Sequence, residues 1–214
     1  MKKTTKAIHF LIRIFNLESF IIALLAHANN EIIKKLIPLN TSYKHPSIKK
    51  VVRDSTLFEL DISDYMQWYI WAGLKDVSWG FAASSLKNNC TILDIGANVG
   101  AFCLKLGANS IKNNCNSTVI AFEPNPYVFK KLSYNLSCNE KLKNPVQIEP
   151  MGISNKKEQL KFQWNKKNTG GGKFIIGEKP LSKNTELVDV VKVDDYIKEK
   201  KISSVSFIKI DVEG

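Results

Sequence analysis

From residue 91 onward the chain alternates two kinds of hydrophobic pattern. Short apolar runs cover 91–94, 118–123 and 146–148, and between them lie amphipathic stretches of helix length, 99–108 and 127–138. A continuous apolar run suits a strand buried on both faces, and spacing of three and four suits a helix with one covered face. Their alternation predicts a parallel α/β sheet. Residues 157–164 and 186–193 read as further strands around a polar, glycine-rich loop at 165–173. A helix over 194–200 then leads into a strand over 206–211.

Upstream the pattern changes. Ile8, Leu11, Ile12 and Phe15, with Ile22 and Leu25 beyond, form one broad stripe and predict an amphipathic helix over 5–27. The stripe is expected to pack against the rest of the protein, with a membrane surface or self-association as alternatives. A second short helix over 31–36 ends before Pro38. Residues 50–53 and 57–60 read as a hairpin turning at Asp54-Ser55. The aromatic stretch 64–71 predicts a core helix broken at Gly73, with Tyr65, Trp68 or Trp71 as alternative walls of a ligand pocket. The segments are a helical extension (1–40), a lead-in hairpin with helices (41–90) and a main domain (91–214).

Composition adds little to this, but charge adds more. With 214 residues, 44% hydrophobic and 24% charged, the chain suits one main domain plus an appendage. The net charge of +11 is uneven: residues 1–50 hold nine Lys/Arg against two Glu, +7, leaving 22 Lys/Arg against 18 Asp/Glu, +4. A basic leader suits nucleic acid or an anionic membrane surface. Abundant Lys and Asn throughout favours a compositional bias instead, so no nucleic-acid partner is expected.

The first residues imitate a signal peptide, down to Ala26-His27-Ala28. Arg13, Asn16, Glu18 and Ser19 interrupt the apolar region, and its longest run, residues 20–26, is far too short to span a bilayer. A cytoplasmic location is expected, with peripheral membrane association as the alternative. Cys90, Cys103, Cys115 and Cys138 form no C-x-x-C pair, which suits free thiols in a reducing compartment. His9, His27 and His45 all precede the candidate site, so no metal is expected in it.

The sharpest chemical signal is Ile92-Leu-Asp-Ile-Gly-Ala-Asn-Val-Gly100, a buried strand, a tight glycine turn and a helix start. Gly96 lets the backbone turn and approach a ligand with no Cβ in the way, and Gly100 allows close helix–strand packing. Asn98 stands where the dinucleotide fingerprint has its second glycine, which weighs against NAD and leaves an oxidoreductase a distant alternative. The strand at 118–123 ends in Glu123, placed to accept hydrogen bonds from both hydroxyls of a ribose. Turn and carboxylate together predict a nucleoside cofactor.

Asp94-Ile-Gly-Ala-Asn-Val-Gly100, Phe122-Glu-Pro-Asn-Pro126 and Ile208-Lys-Ile-Asp-Val-Glu-Gly214 resemble the FkbM-type methyltransferases in wording, order and spacing. The resemblance runs from about His45 to the last residue and does not explain 1–40. It implies a Rossmann-like class I methyltransferase fold, with helices on both faces of the sheet, that binds S-adenosyl-L-methionine. Gly96, Ala97, Asn98 and Gly100 would lie beneath the methionine part, Asp94 would approach its amine, and Glu123 followed by Pro124 would meet the ribose. Similar enzymes methylate hydroxyl groups on sugars or natural products, so the resemblance implies a small-molecule or glycan hydroxyl acceptor.

Asp211 and Glu213, at the carboxyl end of the last strand, are candidates for the catalytic base or for orienting the acceptor. In similar proteins a helix and further strands follow Asp-Val-Glu-Gly, whereas here that motif is the final text. The sheet is therefore expected to lack its later strands. A non-catalytic remnant that binds cofactor or a partner stays open beside the O-methyltransferase. The loop Asn168-Thr-Gly-Gly-Gly172 lacks the strand, lysine and helix order of a P-loop and is expected to be a mobile segment near the acceptor.

Overall fold

The fold is a computed structural model that describes residues 3–15, 17–25, 30–74, 76, 78–165, 168–175 and 184–212. The chain divides into two compact units, Met1–Val51 with Glu59–Val77, and Val52–Phe58 with Ser78–Gly214.

In the first unit the predicted single helix is two, α1 (Lys3–Ile14) and α2 (Glu18–Leu24), bent by 109°. The polar residues of the pair explain the break. His9, 5% exposed, hydrogen-bonds through Nε2 to the Lys35 carbonyl at 2.9 Å in α3 (Asn30–Leu36). Glu18, also 5% exposed, lies near the buried Tyr43 hydroxyl, whose ionisation its charge opposes. On a straight helix Glu18 would lie half a revolution around from His9, and the bend turns both inward. The expected apolar stripe is split as a result. Ile12 and Ile22 are buried, whereas Leu11 and Phe15 are 52% and 65% exposed.

Strands β1 (Ile48–Arg53) and β2 (Thr56–Asp61) form a two-stranded sheet. Its turn residues Asp54 and Ser55 have φ of 48° and 62°, the left-handed pair that matches the twist of a tight hairpin. Helix α4 (Tyr65–Trp71) is capped by Asp64, whose carboxylate accepts the Gln67 N–H at 3.0 Å. Trp68 and Trp71 are core residues of this unit rather than pocket walls. Both are at most 2% exposed, and the Trp68 indole donates to the Pro38 carbonyl at 2.9 Å. Tyr65 is exposed and stacks on Trp68.

The second unit opens with α5 (Ser78–Ser84), then β3 (Thr91–Ile95), α6 (Ala101–Lys112), β4 (Thr118–Phe122), α7 (Pro126–Ser137) and β5 (Val146–Glu149). Strands β6 (Gly152–Ile153), β7 (Glu158–Asn165), β8 (Asn168–Ile175) and β9 (Thr185–Val191) follow, then α8 (Val193–Glu199) and β10 (Val205–Ile210). The central sheet is parallel with order β10-β3-β4-β5. Strand β3, first of the four along the chain, thus has the last strand on one side and the second on the other.

The sheet is covered on both faces because its strands are apolar on both. Leu93, Ile95, Ile120 and Phe122 form one core with Tyr196 of α8, whose ring meets Phe122 edge-on at 4.9 Å. Alternation sends Ile92, Asp94, Val119 and Ala121 to the other face, where α6 packs on β4 and β5. Among the described residues β10 is an outer strand, and its Ile208 and Ile210 are 43% and 68% exposed.

A second sheet has order β6-β9-β7-β8 and corrects one expectation. The glycine-rich segment read as a mobile loop is mostly strand β8, antiparallel to β7. Its glycines answer a packing demand, because a Cβ on Gly172 would meet the Phe162 ring at 2.5 Å. Phe162 in turn packs on Phe174 at 5.1 Å.

Candidate functional site

The carboxyl ends of β3, β4 and β10 converge on one turn. Beyond Ile95 the chain reverses through Gly96 (φ 85°), Asn98 (φ 50°) and Gly100 (φ 93°) into α6. Left-handed torsions at three positions within five residues need glycine or asparagine, and those residue types stand there. The Gly96 and Ala97 N–H groups both donate to the Phe122 carbonyl at 3.0 Å, tying the turn to β4. On the other side the Asp211 N–H donates to the Ile95 carbonyl at 3.0 Å. A Cβ on Gly96 would collide with the Asp211 carbonyl oxygen, so only glycine fits between the two strand ends. Gly100 is as constrained, because a Cβ there would meet Leu132 of α7 at 2.6 Å. The buried Asn135 of α7 holds the turn from behind, donating through Nδ2 to the Val99 carbonyl at 3.0 Å.

Two buried carboxylates flank this turn. Glu123, 6% exposed, accepts the Asn98 N–H through Oε2 at 2.8 Å and the Asn125 N–H through Oε1 at 2.9 Å. Burial pushes its carboxyl up to about 7, although both N–H groups favour the charged form. Asn125 also caps α7, accepting from the N–H groups of Tyr127 and Val128. Glu123 therefore joins the two βα turns on either side of β4.

Asp94 is fully buried, and burial pushes its carboxyl up against the opposing pull of Lys209. Lys209 Nζ lies 3.3 Å from Asp94 Oδ1 and 3.2 Å from Asp211 Oδ2, and 5.3 Å from the centre of the Phe102 ring. Burial opposes the charge on Lys209, yet the two carboxylates outweigh it and hold its pKa above the ordinary value. Asp94 Oδ2 is buried without a hydrogen-bond partner.

The structure thus brings Asp94, Gly96, Ala97, Asn98, Gly100, Glu123 and Asp211 to the carboxyl edge of one sheet, with Pro124 directly after Glu123. Asp211 is largely exposed and paired with Lys209. Glu213 lies outside the described residues. Among these no group of three or more His, Cys, Asp or Glu is arranged to hold a metal ion. Lys209 is the site residue that the sequence reading missed. Its signal was a lysine within Phe207-Ile208-Lys209-Ile210, an apolar strand whose in-register neighbour is Asp94.

A parallel sheet in which the chain departs to either side of β3, with a glycine turn and an acid at its carboxyl edge, defines the nucleoside-binding α/β class, here in its class I methyltransferase form. The family model described as the methyltransferase FkbM domain matches residues 94–214, more than half of the chain, and the chain belongs to that family.

Similar solved structures include the FkbM methyltransferase from Methylobacillus flagellatus, at 18% identity and TM-score 0.38, covering 59% of this chain and 27% of that one. They also include M. jannaschii TYW2 in complex with AdoMet, at 25% identity and TM-score 0.36, covering 50% and 44%. P. horikoshii TYW2 in complex with MeSAdo matches at 19% identity and TM-score 0.37, covering 51% and 38%. The chain spans less than half the length of these three. No curated protein matches it.

The geometry predicts that Lys209→Met destabilises the fold by about 3–5 kcal/mol, because it strands the Asp94 carboxylate in the interior. An acid whose folded-state pKa is raised loses stability as pH climbs from the ordinary carboxylate range through that raised value. Urea unfolding should therefore show a larger deficit at pH 8 than at pH 5. Adding Asp94→Asn should recover most of it.

Proposed function

We propose that the chain binds S-adenosyl-L-methionine at the Gly96–Gly100 turn and serves methyl transfer to a hydroxyl group of a sugar or natural-product-like acceptor. The observation that carries this reading is the buried Glu123 carboxylate beside a turn that has no room for a side chain at Gly96. Membership of the FkbM family supports the cofactor, and the family resemblance supports the hydroxyl acceptor.

The residues fit the cofactor. Glu123 has both oxygens fixed by backbone N–H groups, and a carboxylate so held keeps lone pairs for the two ribose hydroxyls. The partnerless Asp94 Oδ2 offers a negative acceptor for an ammonium group at the base of the turn. Gly96, Ala97 and Asn98 present backbone rather than side chain to the methionine part, and Pro124 shapes the wall after Glu123. When bound, the cofactor supplies an electrophilic methyl group on a sulfonium centre.

The protein's own task is then to bring the acceptor oxygen in line with that methyl at near-attack distance and to receive the hydroxyl proton. Asp211, exposed and paired with Lys209 at the carboxyl edge of the sheet, is the first candidate for the base that takes it, with Glu213 two residues on as the second.

Two measurements test this reading. Affinity for S-adenosylhomocysteine should fall about tenfold between pH 8 and pH 6 as Glu123 takes up a proton, since one pKa unit corresponds to a factor of ten. Glu123→Gln should flatten that profile. A flat wild-type profile with unchanged binding in Glu123→Gln would separate Glu123 from the cofactor.

With radiolabelled S-adenosylmethionine and a panel of hydroxylated sugars and natural products, Asp211→Asn should lower kcat about 100-fold while leaving cofactor affinity intact. Cofactor binding without transfer to any acceptor would favour the remnant reading.

A further inference from the structure

The outward face of α1 and α2 is the apolar one. On α1, Phe10 with Ile14 and Leu11 with Phe15 stand at i, i+4 spacing on one side of the helix, and they are 52–65% exposed. On α2, Phe20 and Leu24 have the same spacing and are 64% and 70% exposed. The opposite side is already used. His9, Ile12, Glu18 and Ile22 are buried there, and His9 is held by the Lys35 carbonyl. The helices cannot rotate their phenylalanines inward without exposing Ile12, Ile22 and Glu18 and breaking the His9 hydrogen bond.

The charge of this segment of the sequence has almost one sign. Residues 1–25 carry Lys2, Lys3, Lys6 and Arg13, and their single acid, Glu18, is buried. Arg13 is drawn over the Tyr43 ring at 5.4 Å. An exposed aromatic and aliphatic surface in a segment with four cations and one buried acid is complementary to anionic headgroups over an acyl boundary. A soluble protein partner would not require this one-signed charge. Among the described residues no single helix is long and apolar enough to cross a membrane, and 12 and 7 residues joined at a sharp bend suit helices lying in the interface plane.

We infer that the bent pair α1–α2 docks the protein on the surface of a bilayer carrying anionic lipid, with the aromatic side facing the lipid. Insertion of Phe15 and Phe20 supplies the apolar part of the binding, and the leader's cations supply the part that salt weakens. The inference is independent of the methyltransferase reading.

The test is flotation of the full 214-residue chain with phosphatidylcholine vesicles and with vesicles that also contain phosphatidylglycerol. The wild type should float with the anionic vesicles and far less with the neutral ones, and added salt should weaken it. Phe15→Asp and Phe20→Asp, both at exposed positions, should each reduce the bound fraction tenfold or more with circular dichroism and melting temperature unchanged.

Failure to float with either vesicle would overturn the inference, as would flotation indifferent to both substitutions. So would concentration-dependent dimerisation, by sedimentation, that the same substitutions abolish, because the face would then belong to a second copy. Retention of RNA in place of vesicles, or an intact mass lacking the leader when the protein is made in cells, would overturn it as well.

Discussion

The place where β3 ends leaves no volume for a side chain, and the arrangement of the site follows from that constraint. The Asp211 carbonyl comes against the Gly96 Cα, close enough that a Cβ there would collide with it. The approach is held by the Asp211 N–H on the Ile95 carbonyl and by two N–H groups of the turn on the Phe122 carbonyl. Because β3 lies between β4 and β10, one turn gathers the carboxyl ends of all three strands. Glu123 arrives from β4, Asp211 from β10 and Asp94 from β3 itself. A larger residue at 96 would push β10 away and separate the groups that the sheet brings together.

Placing acids at that edge costs the fold something, and the structure shows how each cost is offset. Glu123 loses hydration but gains two backbone N–H groups, one from each turn that it joins. Asp94 loses all hydration and gains one partly buried cation, Lys209, shared with Asp211. One oxygen of Asp94 remains without a partner. A buried carboxylate left half satisfied inside a well-packed sheet is a destabilising feature.

Much of this was legible in the residues themselves. The order of strands and helices from 91 onward could be read because buried parallel strands and half-covered helices leave different periods. The turn could be read because left-handed torsions select glycine and asparagine. Lys209 was missed because it sits inside an apolar strand, and its meaning depends on the register that sets it beside Asp94. The bend between α1 and α2 was missed for a similar reason, since a period of 3.6 is indifferent to which side of the helix must bury His9 and Glu18. In the sequence the glycines of β8 imitate a flexible loop, although the ring of Phe162 is what requires Gly172 to lack a side chain. The aromatic helix α4 could be read as core, but the alternative of Trp68 and Trp71 as pocket walls was closed only by their burial.

In the proposed function the Gly96–Gly100 turn is a cofactor cradle and not only a structural βα connection. Isothermal titration of the 214-residue chain with S-adenosylmethionine, S-adenosylhomocysteine and NAD, repeated on Gly96→Arg, addresses that claim most directly. Heat of binding is expected for the first two ligands and none for NAD, with both signals lost in Gly96→Arg. A folded wild-type chain that binds neither adenosyl ligand, or that prefers NAD, would contradict it.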